Sequence, residues 1–203
     1  NNTNKLFMVR DRLGQKPLFY NYRDSNIIFG SNLKSLAKLN GSFEINDKGV
    51  YEYLASGVVS SPNTILKNFF KIEPGHVMTY CLVDFKILSN LPYWNIESFT
   101  DEKPYQEEKF YNLFESAVLL RSKADVETAS FLSGGIDSSS IIKKQIDLNL
   151  NVNTFSMSFS NQNYDESKWF SAVAEKYNTN HKQSTISALL DLNKVHESID
   201  VFD

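Results

Sequence analysis

Residues 131 to 140 read Phe-Leu-Ser-Gly-Gly-Ile-Asp-Ser-Ser-Ser: an apolar approach, two glycines, an acid and a run of hydroxyls. Gly134 and Gly135 lack a Cβ, so the backbone can approach a phosphate closely or adopt a positive φ. Ser133, Ser138 and Ser139 add hydroxyl donors. Asp137 is the odd member, because a carboxylate in an anion site repels its ligand unless a cation lies between. Mg2+ meets that need, since it binds through one or two carboxylates together with substrate phosphates. Spacing excludes three better-known glycine motifs. A Walker A loop needs a lysine after its glycines, and a dinucleotide fingerprint needs G-x-G-x-x-G; neither is present. The G-x-S-x-G elbow is absent too, which argues against a serine nucleophile. Two readings remain, a phosphate-binding turn and a plain serine-capped turn from strand to helix. The hydroxyls and the acid favour the first.

The elements around the stretch are those such a loop requires. Phe110, Leu113, Phe114, Ala117 and Val118 recur at helical spacing and predict an amphipathic helix. Strands are expected at "TASFL", "VNTFSMSF" and "HKQSTI", with helices at "IDSSSIIKKQIDL", "DESKWFSAVAEKY" and "SALLDLNKVHESI". Asp165 is expected to cap the second of these helices, with Trp169, Phe170, Val173, Ala174 and Tyr177 on one face. Strands alternating with helices predict an α/β doubly wound parallel sheet. The stretch then becomes the loop from its first strand into the next helix, where free N–H groups and the helix dipole favour an anion.

Upstream the pattern differs. "LFMV", "LFYNY" and "IIFGS" predict hairpin-like β structure, followed by a short helix near "NLKSLAKL" that Gly41 ends. "NDKGVYEYLASG" predicts a helix capped by Asn46 or Asp47 and stopped by Gly57. "EPGHVMTYCLVDFKIL" predicts two strands after a Pro-Gly turn. A polar, Pro-bearing stretch near residues 90 to 103 marks a domain boundary. Arg10, Asp11 and Arg12 read as a charge cluster at a hairpin end. His76, His181 and His196 lack metal-ligand spacing, and His196 reads as packed against its helix's apolar side.

Composition narrows the class. The 203 residues are 41% hydrophobic and 22% charged, with a formal net charge of −3, an ordinary globular balance that argues against a nucleic-acid partner. No apolar run approaches the roughly 20 residues that span a bilayer. Cys81 is the single cysteine, which suits a reducing, cytoplasmic setting and reads as buried and inert.

"FLSGGIDSS" resembles the pyrophosphate-binding loop of ATP pyrophosphatases of the asparagine synthetase (glutamine-hydrolysing) family. "MVRDRLGQKPLFY" is similar to the end of that family's amidotransferase domain, and "IIFGSNLKSLAKL" to its next strand and helix. "GVVSSPNTILKNFFKIEPGHVMTY" resembles the segment joining the two domains, and "NTFSMSFSNQNYDESKW" the stretch after the ATP loop. The resemblance implies an α+β end of a class II glutamine amidotransferase domain over residues 1–90. The start of an adenine nucleotide alpha hydrolase-like synthetase domain over 104–203 follows, its parallel sheet truncated. It implies a ligase that adenylates the aspartate side chain with ATP and Mg2+, then forms the amide with glutamine-derived ammonia, releasing AMP and pyrophosphate. Ser133, Gly134, Gly135, Asp137, Ser138 and Ser139 would then embrace the ATP phosphates and Asp137 would ligate Mg2+. Leu132 and Met157 fall where the family holds adenine through backbone atoms. No catalytic residue is expected within these residues, since the family's N-terminal glutaminase cysteine and its second metal-binding acid fall outside them. The expected partners are aspartate, glutamine and ATP in a cytoplasmic, homodimeric parent, with no nucleic acid and no membrane.

Departures from the pattern touch the product rather than the loop. Asn32 stands where the family has glutamate, and "HKQ" at 181 to 183 replaces His-His-Glu. Another carboxylate acceptor, a polysaccharide sugar or a β-lactam precursor, therefore stays open. So does a non-catalytic nucleotide-binding module.

Overall fold

The computed structural model describes residues 4–100, 104–160, 163, 165–186 and 197–198, which fall into two compact units. The first comprises 4–100 and Ser198, the second the described residues from 104 to 197.

In the first unit, β1 (Lys5–Val9), β2 (Phe19–Arg23) and β3 (Asn26–Gly30) lead into α1 (Leu33–Asn40) and α2 (Asp47–Ser56). Next come β4 (Phe69–Lys71), β5 (His76–Cys81) and β6 (Lys86–Pro92). They make two antiparallel three-stranded sheets, ordered β1-β5-β6 and β3-β2-β4. β2 shows why both sheets hold. Its alternation buries Phe19 and Asn21 on one side, where Phe19 joins Leu36, Ala37, Leu66 and Phe69. Tyr20 and Tyr22 pack on the other side against Met8, Ile72, Met78 and Tyr80.

The expected β2–β3 hairpin forms, but β1 pairs with β5 rather than with its neighbour, and β4 is a strand that no pattern in its sequence predicts. Asn32 caps α1 by accepting from the Ser35 N–H at 2.7 Å. Asn46 occupies the corresponding place before α2, yet its amide donates to the Thr64 carbonyl at 2.9 Å and caps nothing.

Arg10 is the tie of this unit. Its Nη1 donates to the Ile72 carbonyl at 2.6 Å and to Ser61 Oγ at 3.3 Å. Nη2 reaches the Gly14 carbonyl at 3.2 Å, and Nε the Lys16 carbonyl at 3.2 Å. The same turn is closed by Asp11, whose carboxylate accepts the N–H groups of Gln15 and Lys16 at 2.8 and 3.0 Å. Those bonds, the Lys16 one foremost, hold the Asp11 carboxyl below its usual range. The charge cluster expected at a hairpin end lies instead in the connection between two strands that do not pair, β1 and β2, and there Arg10 and Asp11 form a brace.

The second unit runs α3 (Glu107–Arg121), β7 (Ala129–Phe131), α4 (Ile136–Asp147), β8 (Asn153–Phe159), α5 (Ser167–Lys176) and β9 (Asn180–Ile186). All pairing is parallel, in the order β7-β8-β9. Chain order without reversal is half of the doubly wound pattern; no reversal falls among the described residues. The helix expected over 188–199, with His196, lies outside them except for Glu197 and Ser198.

The helices cover an unusual sheet surface. Thr154, Ser156 and Ser158 are the buried residues of β8, while Phe155, Met157 and Phe159 are exposed on the opposite face. The buried hydroxyls are satisfied. Thr154 Oγ1 lies 2.9 Å from both Thr179 Oγ1 and His181 Nδ1, and Ser158 Oγ lies 2.9 Å from Thr185 Oγ1. Over them sits an apolar cluster of Leu132, Ile142, Val152, Phe170 and Ala174. α3 departs from its expected burial: Val118 is buried but Leu113 is 61% exposed, because α3 packs chiefly on α4.

Removing the brace tests the first unit. Arg10→Ala should lower its stability by about 2 kcal/mol in urea unfolding, the scale of a charge-assisted hydrogen bond. Arg10→Lys should restore less than half, because an ammonium cannot span the divergent carbonyls that the guanidinium fork reaches.

Candidate functional site

The loop after β7 begins with Leu132, 2% exposed in the core. Its N–H donates to the Phe155 carbonyl at 2.9 Å, and its carbonyl accepts the Ser156 hydroxyl. The N–H of Leu132 is therefore engaged, and only a second lone pair on its carbonyl remains to meet a ligand. β7 stops here, and the chain turns away at Gly134, whose φ is +80°. The reversal is tight. A Cβ at position 134 would lie 2.6 Å from the Phe170 amide nitrogen and 2.6 Å from Trp169 Cβ. The loop thus rests directly on the first turn of α5, with no room for a side chain.

The serines of the loop hold its shape. Ser133 Oγ and Ser138 Oγ lie 3.0 Å apart, the Gly135 N–H donates to Ser133 Oγ at 3.3 Å, and the Ser138 hydroxyl donates to the Gly135 carbonyl at 3.2 Å. Gly135 sits at the N-cap of α4 with no side-chain cap. The Ser139 N–H makes the first helical bond, to the Gly135 carbonyl at 3.0 Å. The N–H groups of Ile136, Asp137 and Ser138 therefore have no acceptor among the described residues, as helix geometry dictates. They open beside Asp137, which is exposed and has no ion-pair partner among the described residues. Ser139 differs from its neighbours: its Oγ is buried and makes no hydrogen bond.

Met157 reaches the same region from β8. In a parallel strand the backbone groups of alternate residues face opposite neighbours. The Leu132–Phe155 bond shows that odd-numbered residues of β8 face β7, while the bonds of Asn180 to Val152 and of Ser160 to Ile186 turn the even ones toward β9. β7 has ended at Phe131, so the Met157 N–H and carbonyl face the space that it vacates. Neither has a partner among the described residues. One donor and one acceptor side by side can read the edge of a heterocyclic base.

Asp165 belongs to the site for a reason its sequence does not announce. The pattern points to a cap for α5, but Glu166 holds the N-cap position. One Asp165 oxygen accepts the Phe159 N–H at 3.1 Å, and the other accepts the Ser167 hydroxyl. The Ser167 bond, then the Phe159 bond, hold its carboxyl below the usual value of 3.8. No local sequence signal marks the link to Phe159.

Other chemistry-bearing residues stay apart. Cys81 is half-buried, and its sulfur accepts the Asp84 N–H at 3.4 Å in the β5–β6 turn. His76 Nδ1 lies 2.9 Å from the Pro74 carbonyl, and His181 is tucked against the Phe170 ring. Among the described residues no group of three or more His, Cys, Asp and Glu could hold a metal by itself. A lone carboxylate beside free N–H groups fits Mg2+ only where phosphates complete the shell.

Two compact units, one antiparallel and β-rich, the other parallel α/β with a glycine-serine loop after its first strand, define the architectural class. A model of the glutamine amidotransferase domain matches residues 1–94, and one of asparagine synthase matches residues 109–203. A relative in Methanocaldococcus jannaschii bearing the asparagine synthetase (glutamine-hydrolysing) name is 34% identical over 87% of this chain and 35% of its own length. Asparagine synthetase (glutamine-hydrolysing) 3 of Bacillus subtilis is 32% identical over 98% of this chain and 35% of its own. Asparagine synthetase (glutamine-hydrolysing) 1 of the same organism is 30% identical over 81% and 26%. The chain belongs to the asparagine synthetase (glutamine-hydrolysing) family. It spans about a third of the length of the first two relatives, 35% of each.

The two glycines should respond differently to alanine. Gly134→Ala meets both a positive φ and the wall of α5, and should cost about 3 kcal/mol of stability in urea unfolding. Gly135→Ala, at φ −68° with its Cβ 3.4 Å from Ser133 Oγ, should cost under about 1 kcal/mol.

Acid titration tests Asp165. A carboxyl whose folded pKa is depressed contributes stability that is complete above its unfolded value and lost as pH falls through the folded one. The stability gap between wild type and Asp165→Asn should therefore be constant above about pH 5 and close as pH drops below about 3.8.

Proposed function

We propose that the protein is an ATP-dependent carbon–nitrogen ligase with glutamine as amide donor, acting in the cytoplasm on the side-chain carboxylate of aspartate. In this reading ATP adenylates that carboxylate, releasing pyrophosphate, and ammonia from glutamine displaces AMP to leave the amide. Residues 1–90 are then the closing part of the glutaminase domain, and residues 104–203 the opening part of the synthetase domain. The family of the chain supports this reading.

The observation that carries it is the pairing of two open backbone edges. The N–H groups of Ile136, Asp137 and Ser138 offer donors to phosphate oxygens at the positive end of α4. The Met157 N–H and carbonyl offer a donor and an acceptor to adenine, and the second lone pair of the Leu132 carbonyl adds another acceptor. Ser133, Ser138 and the two glycines give the loop its shape, so the amides are oriented before the nucleotide arrives. Ser139 Oγ is buried at the first turn of α4, so it would have to swing outward to donate to a phosphate oxygen. Bound at Asp137, Mg2+ would supply the positive charge that lets a carboxylate stand beside phosphates.

Two measurements check the reading. Calorimetry on the whole protein should show ATP binding that EDTA weakens by at least about tenfold, and that Asp137→Asn weakens comparably in the presence of Mg2+. Equal affinity with and without the metal would remove Asp137 as its ligand. Chromatography of labelled ATP after turnover with aspartate and glutamine should give AMP and pyrophosphate. ADP and phosphate as the main products would remove the assigned role of the loop.

A further inference from the structure

Asp165 holds two parts of the site at once. The first is the free edge of β8. Beyond the end of β7, the odd-numbered residues Met157 and Phe159 present backbone groups with no strand beside them. The Asp165 carboxylate takes the Phe159 N–H at 3.1 Å, doing for that position what a neighbouring strand would do. The second is the start of α5, where the other carboxylate oxygen holds the Ser167 hydroxyl. α5 has no side-chain cap at Glu166, so this bond fixes its first turn from outside the helix.

That first turn is the wall behind the loop. Phe170, 1% exposed, packs with Leu132 in the core, and its amide nitrogen would lie 2.6 Å from a Cβ at position 134. A continuous path therefore runs from the edge at Met157, through Phe159, Asp165 and Ser167, to Trp169, Phe170 and Gly134. The loop's own hydrogen bonds among Ser133, Gly135 and Ser138 do not include Asp165.

We propose that Asp165 is a positioning residue that fixes the distance between the base-reading edge of β8 and the phosphate loop. This rests on the ATP reading given above and extends it. Asp165 touches no ligand atom; it sets the span that a nucleotide must match. A ligand that bridges both ends feels its loss, and a ligand that touches only the loop does not. The ionised carboxylate suits the task because its two oxygens accept from two separate elements at once.

The test compares two probes on the whole protein with Mg2+: ATP, which spans both ends, and inorganic tripolyphosphate, which reaches only the loop. Asp165→Ala should weaken ATP about tenfold, the effect of one lost charge-assisted hydrogen bond, and tripolyphosphate less than about twofold. Asp165→Asn keeps an oxygen for the Phe159 N–H and should recover most of the ATP affinity. Ser167→Ala removes the second anchor without touching Asp165, and should show the same split between probes, about threefold against ATP. It carries the comparison if Asp165→Ala does not fold. An equal loss for both probes, or no loss for either, overturns the positioning role while leaving the ATP site in place. A wild-type protein that binds neither probe overturns the ATP reading itself, and the inference with it.

Discussion

Backbone meets backbone at Gly134, and the second unit is organised by that contact. The left-handed φ of +80° turns the chain out of β7 and lays it against the first turn of α5, where even a methyl group would collide with the Phe170 amide. From this one turn follow the early end of β7, the uncovered backbone edge of β8 at Met157, and the direction in which α4 leaves the sheet. Only glycine meets both demands, a positive φ and no Cβ. The loop's serines then fasten what the glycine permits, through short-range bonds within residues 133 to 138.

The surface under the helices follows a different logic from an oily core. β8 directs Thr154, Ser156 and Ser158 toward α4 and α5, and each hydroxyl finds a partner on β9 or on Leu132. Small hydroxyl side chains let the helices sit close to the sheet while costing no unpaired polar group, the condition on which such burial depends. The apolar weight is carried one layer up by Ile142, Phe170 and Ala174 on the helices, joined by Val152 just before β8. Among the described residues the Nε2 of His181 on β9 and the Oγ of Ser139 on α4 are buried without a hydrogen bond.

Local pattern makes most elements of the second unit legible. Period 3.6 locates α3, α4 and α5, and short β-branched and aromatic runs locate the strands, because each signal lies within a few neighbouring residues. Partners are less legible. β1 reads as a strand in "LFMV", but its pairing with β5 lies some seventy residues away, and nothing in either run names the other. β4 is three residues long and exists because β2 offers it an edge. In the loop, the glycines, serines and Asp137 can be read from residue type alone. Asp165 cannot, because its sequence context is that of an ordinary helix cap, and its partner on Phe159 is set by where β7 happens to end.

A nucleotide lying across the C-terminal ends of β7 and β8, with its base at Met157 and its phosphates at the start of α4, is the central claim. A crystal structure of the protein with Mg2+ and α,β-methylene-ATP, which cannot be cleaved between those phosphates, tests it directly. The expected result is adenine within hydrogen-bonding distance of the Met157 backbone, phosphate oxygens on the N–H groups of Ile136, Asp137 and Ser138, and the metal on the Asp137 carboxylate. An analogue bound with its base away from β8, or with its phosphates off the loop at 133–139, would contradict it.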